Sequence, residues 1–360
     1  MRLTRNIPVL VAALAFFASA PAQQTRTLTA DKHNEYGLVY SLPVTELRIE
    51  VTATKTVRKA GPYWKYAKKY IGTDKVVRDD GEEWTIDRVS VTPYGVADPE
   101  SRWLMQLKPG ATTYICVADD GMLLAINAEA QAPAPAKAKA PAKAPKAFTG
   151  KEYLQYVGED FIASQSSAKQ AQLLAESLME VRDAKVSLTR GTAESMPTDG
   201  RQLELMLASL SEQEAALTAA FAGSETVATV QRTFTYRPEK KGKEVLFRLS
   251  DFGGFTDADD YSGAPVYIEI GGIREASLPT DADGAEKKLP KDAVMYALPG
   301  TATVTLSASG RKLFSEEMPM AQFGTVFGLA PSLFTSKKEP SYATFDPATG
   351  ALREIGEVKE

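Results

Sequence analysis

Apolar and polar residues alternate along several short stretches of the chain. In the clearest stretch, apolar residues occupy positions 47, 49, 51 and 53, and polar residues occupy the positions between them. A period of two predicts a β-strand with one face buried and the other in water. Further strands are predicted around 84–86, 103–107, 113–117, 122–126, 230–236, 245–249, 266–270 and 301–306, with turns at 119–121, 309–310 and 345–350. Many short strands separated by turn residues are typical of antiparallel sheets and sandwiches.

Between residues 165 and 223 the apolar residues recur at the spacing of an α-helix instead of alternating. The apolar residues of this region form two stripes at helical spacing: Ala171, Leu174, Ala175, Leu178 and Val181, then Leu203, Met206, Leu207, Leu210, Leu217 and Phe221. Ser167 with Gln170 matches a capping box, Asp199 begins a similar pattern, and Gly223 suits the end of the second helix. We therefore predict a helical hairpin, and we interpret its stripes as core rather than as a cofactor site.

A third, shorter helix is predicted after Gly61-Pro62, where proline suits the first helical turn and Gly72 suits the end. The residues that share its apolar face are Tyr63, Tyr66, Ala67, Tyr70 and Ile71, while Lys65, Lys68 and Lys69 lie off that face.

These elements predict a β-dominated α+β fold. Residues 31–127 form an N-terminal antiparallel sheet domain with one short helix, and residues 165–223 form the helical hairpin. Residues 225–356 form a C-terminal β-sandwich-like domain. Between them, residues 128–147 consist almost entirely of alanine, proline and lysine. Such a tract cannot bury enough apolar surface to fold, so we interpret it as a linker or an exposed loop.

The first 22 residues have the parts of a cleavable secretory signal peptide. Arg2 and Arg5 form a positive region, an apolar run follows over residues 9–18, and small residues precede a cleavage site after Ala22. No cysteine lies at that site, so the protein is not expected to be a lipoprotein. An uncleaved membrane anchor is the alternative. We expect an exported, periplasmic or envelope-associated protein, because no later segment is apolar enough to span a bilayer.

Charge and cysteine content narrow the classes of function. Cleavage would leave 338 of the 360 residues and, by removing two arginines, would change the net charge from −4 to −6. An acidic chain argues against a general nucleic-acid binder. The single cysteine, Cys116, cannot form a disulfide within the chain, and its apolar surroundings predict a small buried side chain.

No catalytic or cofactor-binding motif is present in the sequence. The single histidine, His33, precedes the first full strand, and neither paired zinc ligands nor nucleotide-binding glycine loops occur. We therefore expect no cofactor and no metal. Asp257, Asp259 and Asp260 cluster beside Tyr261, and residues 281–284 form a second acidic turn, but neither has the spacing of a calcium loop. We interpret both as solvated turns.

The short helix concentrates positive charge and aromatic rings in an otherwise acidic protein. Rings stack on sugar faces and lysines attract phosphate or carboxylate groups, which favours an anionic glycan or a lipid headgroup as ligand. The candidate binding residues are Tyr63, Trp64, Lys65, Tyr66, Lys68 and Lys69. The alternative, which we favour, is an amphipathic helix whose tyrosines pack on the sheet and whose lysines face water.

Six sequence segments resemble the domain-of-unknown-function family numbered 4831. They are YSLPVTELRIEVT from Tyr40, AGPYWKYAKKYIG from Ala60, FTYRPEK from Phe234, EVLFR from Glu244, DADDYSGAPVYIEI from Asp257 and AQFG from Ala321. The resemblance covers nearly the whole chain after the signal peptide and implies an exported protein of Bacteroidetes. It implies no catalytic or binding residues, and it favours a non-enzymatic role.

We therefore expect an exported protein that binds or scaffolds an envelope glycan or a protein partner. Two alternatives stay open. A carboxylate-dependent polysaccharide hydrolase would need a cleft with two acids about 5–9.5 Å apart. An assembly or chaperone-like factor would use the helical hairpin and would expose a large apolar patch.

Overall fold

The computed structural model describes residues 25–27, 37–105, 113–132, 149–336 and 339–358. The predicted signal peptide, His33 and most of the tract at 128–147 lie outside the described residues. Strand accounts for 46% of the structure and helix for 23%. The predicted β-dominated α+β fold is therefore confirmed.

The strands form three antiparallel sheets. In chain order they are β1 Thr25–Thr27, β2 Leu38–Lys59, β3 Gly81–Met105, β4 Ile115–Val117, β5 Leu123–Ile126, β6 Ser224–Tyr236, β7 Gly242–Ser250, β8 Gly254–Thr256, β9 Ala264–Arg274, β10 Val294–Ala308, β11 Arg311–Leu329, β12 Ser341–Phe345 and β13 Leu352–Glu357. The first sheet has the order β1-β3-β2-β6, the second β11-β10-β9-β7-β8 and the third β13-β12-β5-β4.

The first and second sheets pack against each other around the main core. From the first sheet, Leu47, Ile49 and Val51 of β2 are fully buried, as their alternation predicts. The second sheet contributes Phe247, Val266, Ile268, Ile270, Ala302, Val304 and Leu306 to the same core. The second sheet lies wholly within residues 242–329, but the first sheet combines β1, β2 and β3 with β6, whereas the sequence placed a whole sandwich-like domain within residues 225–356. Because β6 pairs along β2 and β12 pairs with β5, the predicted domain boundaries run through hydrogen-bonded sheets.

A second core lies between the third sheet and the opposite ends of the long strands. Tyr40 and Leu42 of β2 and Val294 of β10 pack there with Leu123 and Phe345 of the third sheet. Register irregularities interrupt β2 after residue 41 and β10 after residue 298. Such irregularities bend a strand, and here both precede, along their strands, the residues that β2 and β10 contribute to the main core.

A bulge changes the face predicted for β7. The register shifts between Val245 and Phe247, so Leu246 is an extra residue in this strand. Phe247, Leu246 and Leu249 pack on the main core. The predicted alternation placed Val245 there instead of Leu246, because sequence periodicity does not reveal an inserted residue.

The helices form a third core beside the sandwich. They are α1 Ala67–Ile71, α2 Glu159–Ala163, α3 Ser167–Arg190 and α4 Gly200–Ala222, with 3₁₀ turns at Trp64–Tyr66, Glu152–Tyr156 and Pro331–Leu333. In the predicted hairpin of α3 and α4, the side chain of Asp199 caps α4, but the cap of α3 is Ser166 rather than Ser167. Gln170 instead donates to the carbonyl of Ser164. None of the helices among the described residues combines the length and the apolar character that crossing a membrane requires.

Candidate functional site

The segment that carries the candidate binding residues wraps around the C-terminal end of α4. A helix leaves its last carbonyl groups without intrahelical partners. Here the amide of Tyr63 donates to the carbonyl of Ala220 (2.9 Å), and the amide of Val77 donates to that of Ala222 (2.8 Å). Gly61 allows this contact, because a Cβ atom at this position would lie 2.7 Å from the Ala220 oxygen. The segment is therefore fixed in place at both of its ends.

The tyrosines of this segment pack on the helical hairpin. Tyr63 is only 7% exposed and lies edge-on to Tyr153 and Phe161. Its hydroxyl donates to Gln170 Oε1 (3.1 Å), and burial raises the pKa of Tyr63 to about 12. Tyr66 and Tyr70 are half-buried against the same core. The expected packing surface was the sheet; the structure instead uses α4, whose C-terminal end the segment caps.

The lysines face water, and two cations of the segment lie over a half-buried tryptophan. Lys65 Nζ lies 5.7 Å from the centre of the Trp64 ring, and Arg78 Cζ lies 5.4 Å from it. Lys68 pairs with Asp74 (3.2 Å) on the surface, and Lys69 Nζ lies 4.8 Å from the centre of the Tyr70 ring. Two of the three predicted lysines, Lys65 and Lys69, therefore lie against aromatic rings, so those rings are already engaged by cations of the protein itself.

We define the basic surface as Trp64 with the five exposed cations of this segment: Lys65, Lys68, Lys69, Lys75 and Arg78. Sequence spacing missed Lys75 and Arg78, which follow the helix and lie outside its helical periodicity. Arg78 joins the surface because the chain returns to the end of α4 at Val77. Cations on a fixed segment attract anionic groups.

The predicted aspartate turn is a loop built around an arginine. Arg248 Nε donates to the carbonyl of Ala258 (2.8 Å), and its Nη1 donates to that of Gly263 (3.2 Å). Asp257 pairs with Arg232 (3.7 Å). The amide of Ser262 donates to Asp260 (2.9 Å) and lowers the pKa of that carboxyl group. The aspartates line an open groove of about 430 Å³.

The second acidic turn is closed by its own backbone. Asp281 Oδ1 accepts hydrogen bonds from the amides of Asp283 (3.1 Å) and Ala285 (2.9 Å). Within the described ranges, no three histidine, cysteine, aspartate or glutamate side chains gather in a way that would hold a metal ion.

Cys116 is half-buried rather than buried. It lies in β4, the edge strand of the third sheet. Its Sγ lies 3.1 Å from the carbonyl oxygen of Ala130, to which the thiol donates. The apolar neighbours of this cysteine in the sequence did not reveal its place at a sheet edge.

Two other segments behind the family resemblance have structural roles. Tyr40 is buried, its hydroxyl donates to the carbonyl of Met295 (3.2 Å) and it accepts from the amide of Met295 (2.9 Å). Gln322 Nε2 donates to the carbonyls of Thr45 (2.9 Å) and Pro238 (2.8 Å). These residues hold strands together and leave the surfaces described above as the candidates for binding.

The model of the family described as Domain of unknown function (DUF4831) matches residues 36–353. The chain belongs to this family. The match includes the sandwich, the helical hairpin, the basic surface and the aspartate loop, so all of them are parts of the DUF4831 domain. The comparisons with curated proteins and with solved structures found no match.

Proposed function

We propose that this member of the DUF4831 family is an exported, envelope-associated protein that binds an anionic envelope glycan without chemical turnover. The basic surface is the binding site. The observation that carries the proposal is the presence of five exposed cations on the short segment that carries Trp64, with Lys65 and Arg78 over the Trp64 ring. Residues 59–80 have a net charge of +3 in a chain whose total charge is −4.

Pairing within the protein leaves most of this charge exposed. Among the described ion pairs, Lys68 has Asp74 as its partner, but both side chains are more than 70% exposed. Such a pair contributes little and exchanges readily with a ligand. Lys65, Lys69 and Arg78 contact rings rather than carboxylates. An incoming carboxylate or phosphate group would therefore find cations that need little desolvation.

The anchoring of the segment favours binding further. Its backbone is tied to Ala220 and Ala222, and Tyr63 is buried beneath it. Cations on a fixed backbone lose less conformational entropy when a ligand binds than cations on a free loop would. The tyrosines thus support the site from below, while Trp64 and the cations make the contact.

The electrostatics of the carboxyl groups also favour binding over hydrolysis. A glycosidase needs one carboxylic acid whose pKa is raised, so that it is protonated when it acts. Among the described residues, the carboxyl groups with displaced pKa values are Asp80, Glu152, Glu214 and Asp260, and in each the pKa is lowered. Export is supported by the sequence of the first 22 residues.

The test compares two charge reversals of equal size. Lys65, Lys68 and Lys69 are changed together to Glu, and in the control Lys240, Lys241 and Lys243, which are also exposed, are changed to Glu. Binding to polygalacturonate, an anionic polysaccharide, is measured by calorimetry, with neutral dextran as the second ligand. We expect the first variant to lose at least about tenfold in affinity, equivalent to about 1.4 kcal/mol, and the control to lose less than about twofold.

Equal losses in the two variants would indicate attraction by net charge and would reject the site. Equal binding of dextran and polygalacturonate would reject an anionic ligand. For export, mass spectrometry of the chain recovered from its native envelope should find Gln23 at the N-terminus. Recovery from the cytosol of a chain that still begins at Met1 would reject that part of the proposal.

A further inference from the structure

Two aromatic side chains stand almost fully exposed on the turns that flank β8. Phe252 is 86% exposed and Tyr261 is 84% exposed. Phe252 lies in the turn between β7 and β8, and Tyr261 lies in the loop between β8 and β9. Rings as exposed as these contribute little to a core, whereas aromatic residues are enriched among the residues that dominate binding at protein interfaces.

The ring of Tyr261 rests on a fixed support. Arg248 Cζ lies 4.5 Å from the centre of that ring. The guanidinium is itself held by the carbonyls of Ala258 and Gly263. One face of the ring is therefore supported, and the exposure of the residue leaves the other face free. A ring held in this way loses little side-chain entropy when a ligand stacks on it.

Carboxylates lie beside these rings in the sequence of the same two turns. Asp251 precedes Phe252, and Asp257, Asp259 and Asp260 precede Tyr261; all four are exposed. Asp257 pairs loosely with Arg232, and Asp259 has no ion-pair partner among the described residues. The rings together with these four carboxylates form what we call the acidic aromatic surface. Its charge is opposite to that of the basic surface.

We propose that the acidic aromatic surface binds a protein partner through an arginine side chain. The guanidinium would stack on the free face of Tyr261 and donate to the neighbouring carboxylates. A planar guanidinium can do both at once, because it stacks on rings through its face and donates through its edge.

The protein already shows this combination within its own chain. Arg232 lies 5.4 Å from the centre of the Phe234 ring and also pairs with Asp257. A phosphate or carboxylate ligand would meet repulsion from the four carboxylates. A neutral sugar would stack on Tyr261 but would leave the carboxylates without a charged partner. The arrangement therefore favours an arginine over either kind of glycan.

The test uses a fluorescent 12-residue peptide with four arginines in a glycine-serine background. In the control peptide each arginine is replaced by citrulline, which keeps the planar group and removes the charge. Fluorescence anisotropy measures the affinity of each peptide for the full chain. We expect the arginine peptide to bind at least about tenfold more tightly than the citrulline peptide.

Variants locate the contact. Tyr261→Ala is expected to lose at least about fivefold in affinity, and Tyr261→Phe should bind as the unchanged protein does, because the ring remains. Tyr114→Ala, at another exposed tyrosine, is the matched control and should have no effect. For charge, Asp257→Asn with Asp259→Asn should weaken binding, whereas Asp281→Asn with Asp283→Asn should not.

Three results would overturn this inference: equal binding of the two peptides, equal losses in the Tyr261 and Tyr114 variants, or tight binding of a neutral oligosaccharide such as maltohexaose in place of the arginine peptide. The triple Lys→Glu variant of the basic surface should still bind the peptide. The peptide experiment therefore tests the acidic aromatic surface independently of the proposed glycan site.

Discussion

Thr45 shows how a single buried residue joins distant parts of this chain. Its hydroxyl donates to the carbonyl of Ala348 (2.8 Å) and accepts from the amide of Ala321 (3.0 Å). Its own amide donates to Gln322 Oε1 (3.0 Å). The residue lies on β2, and its partners lie on β11 and in the turn before β13. Thr45 is fully buried, so water cannot replace these hydrogen bonds.

Replacement of Thr45 by valine keeps the shape and removes the hydroxyl. The Ala348 oxygen and the Ala321 amide would then be buried without this partner, which costs about 1–3 kcal/mol. We expect the free energy of unfolding, measured in urea, to fall by that amount. Thr233→Val on the exposed face of β6 is the control and should change it by less than about 0.5 kcal/mol. A Thr45 variant as stable as this control would contradict the role assigned to the hydroxyl.

The sequence predicted which side chains are buried in β2, but it did not predict which distant residues they contact. Alternation identified Leu47, Ile49 and Val51 as buried because a strand has a period of two. Thr45 and Ala348 are 303 residues apart in the sequence, and no local pattern connects them. The same applies to the basic surface. The lysines of the helix were found by helical spacing, whereas Arg78 reaches Trp64 only because the chain turns back over α4.

Within the helical hairpin, one carboxylate connects the two long helices. Glu214 of α4 accepts from Arg182 Nε (2.9 Å) and Lys185 Nζ (3.1 Å) of α3. These hydrogen bonds, first that of Lys185 and then that of Arg182, hold the pKa of Glu214 below its usual value. The ion pairs are half-buried, so salt screens them less than it would screen a surface pair.

The contribution of Glu214 should depend on pH in a defined direction. Because its pKa is lower in the folded protein, it stabilises the fold above the unfolded pKa of 4.5 and loses this effect as the pH falls through the folded pKa. We expect Glu214→Gln to lower the free energy of unfolding by about 1 kcal/mol at pH 7. The difference should shrink below pH 4.5. Urea titrations at several pH values measure it, with the exposed Glu212→Gln as control; a loss that is constant with pH would rule out the ion pair as its cause.

Sequence patterns predicted the existence and type of most elements but placed some details wrongly. Both long helices were found from their apolar stripes and from the glycine that ends α4. The cap of α3 was misplaced by one residue, because Ser167 with Gln170 fits the capping box while the adjacent Ser166, a residue type equally suited to the cap, is the one used. The bulge at Leu246 was missed because an inserted residue leaves no mark on composition.

At the scale of the whole molecule, strand pairing joins segments that the sequence assigned to separate domains. β2 pairs with β6 across the helical hairpin, and β12 pairs with β5, from which it is far away in the sequence. Periodicity shows which face of a strand is buried but not which strand lies beside it. For that reason the sequence suggested an N-terminal sheet and a separate sandwich, whereas the first and third sheets contain strands of both segments.

The two β cores should therefore unfold together, since β2 and β10 each contribute buried residues to both. Two tryptophans report on them separately: Trp84 contacts Phe255 beside the main core, and Trp103 packs on the second core.

The test uses two single-tryptophan variants. One keeps Trp84 and the other keeps Trp103, and in each the other two tryptophans are replaced by phenylalanine. In each variant the urea midpoint from tryptophan fluorescence should agree with that from circular dichroism to within about 0.3 M, as one cooperative transition requires. The comparison is made within each variant, so a loss of stability caused by the substitutions does not affect it. If fluorescence of Trp103 changed at a lower urea concentration than the circular dichroism of the same variant, the second core would be an independent unit, and the long strands would not couple the two cores.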